Sequence, residues 1–134
     1  MEAFGGRIAA RLRVGDVVAL SGGLGAGKTT LARAIIRALG HVGEVPSPTF
    51  TILETYDVRI PLVHADFYRL EHPDEAVELG LDDYREGTAL IAEWSENAGG
   101  FSGEPACLSI LLEGADEGRK AIVEMGSDWL GREP

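Results

Sequence analysis

The sequence predicts an α/β fold: a mixed, mostly parallel central sheet flanked by helices and finished by a C-terminal hairpin. Two observations predict it. Apolar runs of strand length alternate along the chain with segments of helical periodicity, the pattern that lays helices against a parallel sheet. The last two runs, "ACLSILLE" and "RKAIVEM", are separated only by the turn region Gly114 to Gly118, as in an antiparallel hairpin.

The elements follow in chain order. "FGGRIAARLRV" sets Ile8, Leu12 and neighbouring alanines on one face of a short amphipathic helix, despite Gly5 and Gly6. "DVVALSG" is apolar at consecutive positions from Val17 to Leu20, as a strand buried on both faces must be. "TTLARAIIRALG" repeats Leu31, Ile35 and Leu39 at helical spacing and stops at Gly40, a natural C-terminal cap. "PTFTILETYDV" is rich in β-branched and aromatic residues and reads as a strand. A turn near Arg59 leads to a second strand, "PLVHAD". "HPDEAVELG" opens with proline and acids, which suit a helix N-terminus, and closes on Gly80. "TALIAEW" is another buried strand. No repeat, low-complexity tract or linker interrupts this order, so residues 1–134 are expected to form one domain.

Composition excludes several classes. With 45% hydrophobic and 25% charged residues, the chain has the balance of a soluble folded protein rather than a disordered one. No apolar run approaches the ~20 residues needed to span a bilayer, so no membrane role is expected. "MEAFGGRIAARL" lacks the basic region and apolar block of a secretory signal. Cys107 is the only cysteine, cannot form an internal disulfide, and reads as a small buried hydrophobe. A cytoplasmic location is expected. The net charge is −10, from 22 acids against 12 bases. That charge repels polyanions, and an unaided grip on RNA or DNA is not expected.

Four glycines crowd into "SGGLGAG", between the first strand and the second helix. Gly22, four further residues, and then Gly27-Lys28-Thr29 match the phosphate-binding pattern G-x-x-x-x-G-K-[ST]. Glycines let successive backbone N–H groups curl around a β-phosphate, and the helix N-terminus adds partial positive charge. Lys28 reaches the β- and γ-phosphates, and the Thr29 hydroxyl supplies a magnesium ligand. The plain alternative is a glycine-rich turn capping a helix. A strand before it and a helix after it favour the nucleotide loop, and hence a P-loop NTPase fold.

Two strands end on acids: "LVHAD" on Asp66 and "ALIAE" on Glu93. In open α/β sheets ligands gather at the carboxyl ends of strands. Acids there can hold magnesium or orient the attacking water, although a lone acid at a strand exit can equally be a solvated charge or a cap. Two at equivalent exits beside a phosphate loop favour function. His64 either faces the sheet or leans toward the site. Asp16, Glu54 and the acids of "DEGRK" read as surface charge.

The stretches "SGGLGAGKTT", "SPTFTILETY", "HADFYRL" and "AEW", in this order, resemble the bacterial ATPases of tRNA threonylcarbamoyladenosine biosynthesis, the TsaE or YjeE-like family. The resemblance covers most of the chain, and "SPTF" with "HADFYRL" is far more specific than the phosphate loop. It implies a cytoplasmic ATPase using ATP and Mg²⁺, working with a transferase subunit and its paralogue, and meeting tRNA only through that complex. Together these place a threonylcarbamoyl group on the adenosine beside the anticodon. By the same resemblance, Gly22, Gly23, Leu24, Gly25, Ala26, Gly27, Lys28, Thr29 and Thr30 bind the phosphates, while Thr29 and Glu93 hold magnesium. Asp66 resembles the essential acid of the second motif, Ser47-Pro48-Thr49 a switch-like segment near the γ-phosphate, and Trp94 a residue close to the nucleotide.

Two departures from the family accompany the resemblance. Such sequences usually carry Asp where Gly23 stands, so any contact of that acid is absent. They also tend to have a short strand before the first helix that helps hold the adenine. This chain starts at the helix, and the base is expected to be held loosely. The expected function is therefore a P-loop ATPase, slow alone and activated by partners, whose hydrolysis resets a conformational state. The alternatives are a small-molecule kinase, for which an arginine-rich lid is missing, and a non-catalytic nucleotide-gated docking module.

Overall fold

The computed structural model describes residues 2–23, 27–48, 52–115 and 118–134. Its elements are α1 (Glu2–Arg11), β1 (Val17–Ser21), α2 (Lys28–Ala38), β2 (Leu53–Asp57), β3 (Pro61–Asp66), α3 (Asp74–Glu78), α4 (Leu81–Arg85), β4 (Ala89–Glu93), β5 (Cys107–Ala115) and β6 (Gly118–Met125). Short 3₁₀ turns cover Ser95–Ala98 and Ser127–Trp129. The six strands form one sheet in the order β2-β3-β4-β1-β5-β6. β3, β4, β1 and β5 run parallel, and β2 and β6 are antiparallel edges. The expected mixed, mostly parallel sheet with a C-terminal hairpin is the fold observed.

β1 lies between β4 and β5 with apolar clusters on both faces of the sheet, and Val17, Val18 and Leu20 have no exposed surface. That burial is why "VVAL" is continuously apolar rather than alternating. One face of the sheet packs Val18, Leu20, Leu62, Ile91, Leu108 and Ile110 against Ile8 of α1, Leu12 just after it, and Leu31, Ile35 and Ile36 of α2. The other face packs Val17, Val63, Phe67, Leu90 and Cys107 beneath Ala76, Leu81 and Phe101. Each fully buried Leu, Ile or Phe contributes about 1.5–3 kcal/mol. The two apolar layers therefore supply most of the stabilisation and position the strand exits above them.

Several readings change in detail. The hairpin is tighter than the glycine-bounded turn suggested: β5 and β6 stay paired out to Ala115 opposite Gly118, so Gly114 and Gly118 lie in the ladder. The strand read over "PTFTILETYDV" begins at Leu53, because Ile52 sits in left-handed backbone (φ 67°) and cannot extend it. Thr49, Phe50 and Thr51 lie outside the described residues. α4 directly follows Gly80 (φ 79°), where the sequence indicated only a helix end.

Asp16 is not a surface charge. It is 4% exposed and pairs with Arg132 through two bonds, Nη1 to Oδ2 at 2.8 Å and Nη2 to Oδ1 at 2.9 Å. Arg132 also donates to the Arg11 carbonyl and stacks over Trp129, so this pair ties the C-terminal segment to the end of α1. Glu54 is half-buried in β2 rather than fully solvated. Asp116 and Glu117 of "DEGRK" lie outside the described residues.

The N-terminal glycines acquire different meanings. A Cβ on Gly5 would lie 2.6 Å from the Ala34 Cβ and 3.0 Å from the Ala34 carbonyl carbon, so α1 and α2 approach closely only because Gly5 has no side chain. A Cβ on Gly6 would meet nothing within 4 Å. Alanine gains about 0.8–1 kcal/mol of helix propensity at either site, but overpacking two helix backbones costs about 1–3 kcal/mol. Gly6→Ala is therefore expected to raise the midpoint of urea unfolding and Gly5→Ala to lower it. Equal shifts for both would show that the helices can slide apart at no cost.

Candidate nucleotide and magnesium site

The site forms where the parallel strands end. β1 runs into the glycine-rich loop, and α2 starts immediately after it. Gly22 (φ 133°) and Gly27 (φ 101°) both adopt backbone conformations that disfavour side chains, which explains glycine at the two ends of the motif. Leu24, Gly25 and Ala26 lie outside the described residues. At Gly23 a Cβ would meet nothing within 4 Å, so packing does not require glycine there.

Lys28, the first residue of α2, is only 5% exposed. Its Nζ donates to the carbonyls of Gly22 (2.7 Å) and Gly23 (2.8 Å) and lies 4.2 Å from the centroid of the Trp94 ring. Burial pushes the ammonium below the ordinary lysine range, while the carboxylates of Glu93, Glu96 and Asp66 pull it back up. Trp94 reaches this position through left-handed backbone (φ 55°) just after β4, and Tyr68 packs against its ring at 5.0 Å. Such a conformation is costly for a bulky residue and persists only where the surroundings enforce it.

Thr29 sits one residue further along α2. Its hydroxyl donates to Glu93 Oε1 at 2.6 Å, joining residues 64 positions apart in sequence. The second oxygen of Glu93, Oε2, is 2.6 Å from His64 Nε2. Glu93 is 1% exposed and His64 fully buried. A carboxylate only accepts hydrogen bonds, so Nε2 carries the hydrogen. His64 thus leans toward the site, a choice the sequence left open. The available signal was its two-residue spacing from Asp66, which puts both on one face of β3.

Asp66 is directly opposite Glu93 in the parallel register of β3 and β4 and is 7% exposed. Its Oδ1 accepts the N–H of Tyr68 at 3.0 Å. The Asp66 N–H donates to the Ile52 carbonyl and the Ile52 N–H to that of Pro48, which links Pro48 of the switch-like segment to the same strand exit. Ser47 and Pro48 of that segment are described, and Thr49 is not. Thr30 is exposed.

The donor set suits magnesium. A hydroxyl and a carboxylate oxygen at 2.6 Å are hard donors, near the ~2.9 Å that separates adjacent ligands about 2.1 Å from an octahedral magnesium. Among the described residues no cluster of three or more His, Cys, Asp or Glu side chains forms a dedicated metal cage. A cation shared between two protein oxygens and nucleotide phosphates is the usual magnesium arrangement.

Strand, glycine loop and helix, with acids at two neighbouring strand exits, define an α/β protein of the P-loop class. The family model for "Threonylcarbamoyl adenosine biosynthesis protein TsaE" matches residues 1–122, and the chain belongs to that family. A TsaE protein of Haemophilus influenzae is 39% identical over 105 residues, covering 77% of this chain and 66% of the relative. The Streptomyces coelicolor protein of the same name is 46% identical over 100 residues, covering 72% and 68%. The aligned region spans about two thirds of the length of these curated relatives. The crystal structure of Bacillus subtilis YdiB superimposes with a TM-score of 0.75 at 31% identity, covering 98% of this chain and 82% of that one. Among the described residues no helix is long and apolar enough to cross a membrane.

The contact between Lys28 and Trp94 has a measurable signature. As pH rises, the Lys28 ammonium loses its proton below its ordinary value of 10.5, and the cation leaves the indole face. Tryptophan fluorescence is expected to change with a midpoint below 10.5, and Lys28→Met is expected to abolish that step. A step that survives in Lys28→Met would assign it to another group.

Proposed function

We propose that the chain is a magnesium-dependent ATPase acting in the cytoplasm in the biosynthesis of tRNA threonylcarbamoyladenosine, the pathway in its relatives' names. The observation that carries this is the Thr29–Glu93 hydrogen bond at the mouth of the glycine loop, where a phosphate-loop hydroxyl meets a strand-end acid. Bound with ATP, magnesium would be held by Thr29 and Glu93 and would supply charge neutralisation for the phosphates. The chain's residues do the rest. Backbone N–H groups of Gly22 to Thr30 hold the phosphates. Lys28 gives up the Gly22 and Gly23 carbonyls to reach the β- and γ-phosphates. Thr29 and Glu93 place the metal. Asp66, two residues along β3 from His64, orients the attacking water.

The charge of −10 favours action on a complex that itself holds tRNA, built from a transferase subunit and its paralogue. Hydrolysis in such a complex resets a conformational state, and no phosphate passes to the tRNA. Phosphate release by the full chain is expected to be well under ~1 per second alone and to rise when the partner subunits are added. Rapid turnover alone would defeat activation by partners, and phosphorylation of a small-molecule acceptor would favour the kinase reading instead. Nucleotide binding that never leads to hydrolysis would favour a gated docking module.

The residue roles separate by substitution. Lys28→Ala is expected to weaken nucleotide binding at least tenfold, about 1.4 kcal/mol, with circular dichroism unchanged. Glu93→Ala is expected to weaken Mg-ATP binding far more than binding of metal-free ATP. Asp66→Asn is expected to bind ATP nearly normally and hydrolyse it slowly. Calorimetry combined with single-turnover phosphate release measures both. The reverse pattern for the two acids would exchange their roles.

A further inference from the structure

We propose that His64 is a positioning residue that commits the Glu93 carboxylate to ligating magnesium through one oxygen, Oε1. The inference rests on the reading that Thr29 and Glu93 hold the metal. A glutamate carboxylate turns broadly about its last torsion, with two near-equivalent orientations. Two short bonds, one on each oxygen, remove that freedom here: Thr29 holds Oε1 and His64 holds Oε2, each at 2.6 Å. The two bonds differ in permanence. A cation held by both Thr29 Oγ1 and Glu93 Oε1 competes with the bond between those two oxygens, whereas the imidazole bond, made to Oε2, is left untouched. His64 is therefore the contact that keeps the carboxylate in place with the site loaded.

The same bond limits how the carboxylate can ligate. Calcium commonly takes a glutamate through both oxygens, while magnesium is smaller and takes single oxygens in near-ideal octahedral geometry. With Oε2 engaged by an N–H, only Oε1 faces the Thr29 hydroxyl, an arrangement suited to the smaller ion. The position of the ring supports this role over simple space-filling. His64 lies opposite Ile91 in the parallel register, one pleat below the Asp66–Glu93 pair, where an apolar residue would extend the core under the site. The chain instead buries an imidazole completely and, among the described residues, offers its Nδ1 no hydrogen-bond partner. A ring kept at that cost is explained by its other nitrogen.

The test uses the full chain with ATP and three variants. Leu at position 64 removes the donor. Gln can place an amide donor near the Nε2 position, and Asn reaches only as far as Nδ1. ATP affinity is measured by calorimetry without metal, with Mg²⁺ and with Ca²⁺. In the wild type and His64→Gln, Mg²⁺ is expected to strengthen ATP binding similarly, within threefold. In His64→Leu and His64→Asn that gain, and the preference for Mg²⁺ over Ca²⁺, are each expected to fall at least tenfold while metal-free affinity stays within threefold. Full Mg²⁺ gain in His64→Leu overturns the proposal, as does parallel loss of metal-free affinity in every variant. If His64→Leu does not fold, the contrast between Gln and Asn decides. Should Mg²⁺ fail to strengthen ATP binding even in the wild type, the metal reading itself falls. Nitrogen-15 spectra of the metal-free protein test the hydrogen bond independently. They are expected to show a slowly exchanging proton on Nε2 of His64 and none on Nδ1, and the opposite tautomer would overturn the proposed bond.

Discussion

A carboxylate with 1% of its surface exposed, as at Glu93, persists only where hydrogen bonds replace the water it has lost. That requirement organises the upper half of the molecule. Thr29 must arrive from α2 and His64 from β3, so β4 must lie within reach of both. The strand order β3-β4-β1 meets this condition, with α2 following directly from β1 over the face that carries His64, Asp66 and Glu93. The end of the glycine loop then leads directly into the Thr29 hydroxyl that meets the acid.

Beneath the site, stability comes from burial of apolar surface, and the polar groups fix geometry. α1 and α2 meet across Gly5, and Arg59 from the β2–β3 turn reaches the Ala9 and Leu12 carbonyls at the end of α1. Arg132 binds the Arg11 carbonyl and Asp16 near the same helix end, and the Trp129 indole N–H donates to the Ala106 carbonyl at 2.8 Å. Both arginines thus add donors to carbonyls at the end of α1. At the site the balance differs. Lys28 is held against carbonyls and an indole where burial disfavours its charge, and Trp94 sits in left-handed backbone. Departures from local preference of this kind collect where a ligand is to be met.

The acidic surface fits such a role. In the proposed reading, ATP would be engaged through one buried lysine with no general excess of cations, and the net charge of −10 would suppress competing contacts with nucleic acid. Backbone dipoles would replace charge in the proposed phosphate pocket.

Much of the fold was legible in the sequence because its signals are local. Continuous apolarity in "VVAL" and "ALIA", helical spacing in "LARAIIRAL", and the glycine–lysine–threonine loop each depend on residues within a few positions of one another. The acids ending β3 and β4 were legible too, since a strand exit is a local event. Tertiary structure decided what depends on partners far away in the chain. Gly5 looked unfavourable to a helix until Ala34 was seen against it, and Asp16 looked solvated until Arg132 returned from the C-terminus. Position 52 looked like strand until backbone contacts with Pro48 and Asp66 held it in left-handed backbone. His64 is the clearest case. Its spacing from Asp66 gave the face of the sheet, but only the pairing of β3 with β4 brought its Nε2 to the carboxylate that it holds. Sequence determines which residues share a local element. The choice of a buried polar partner belongs to the packing of elements remote in the chain, because only there does the cost of losing water have to be met.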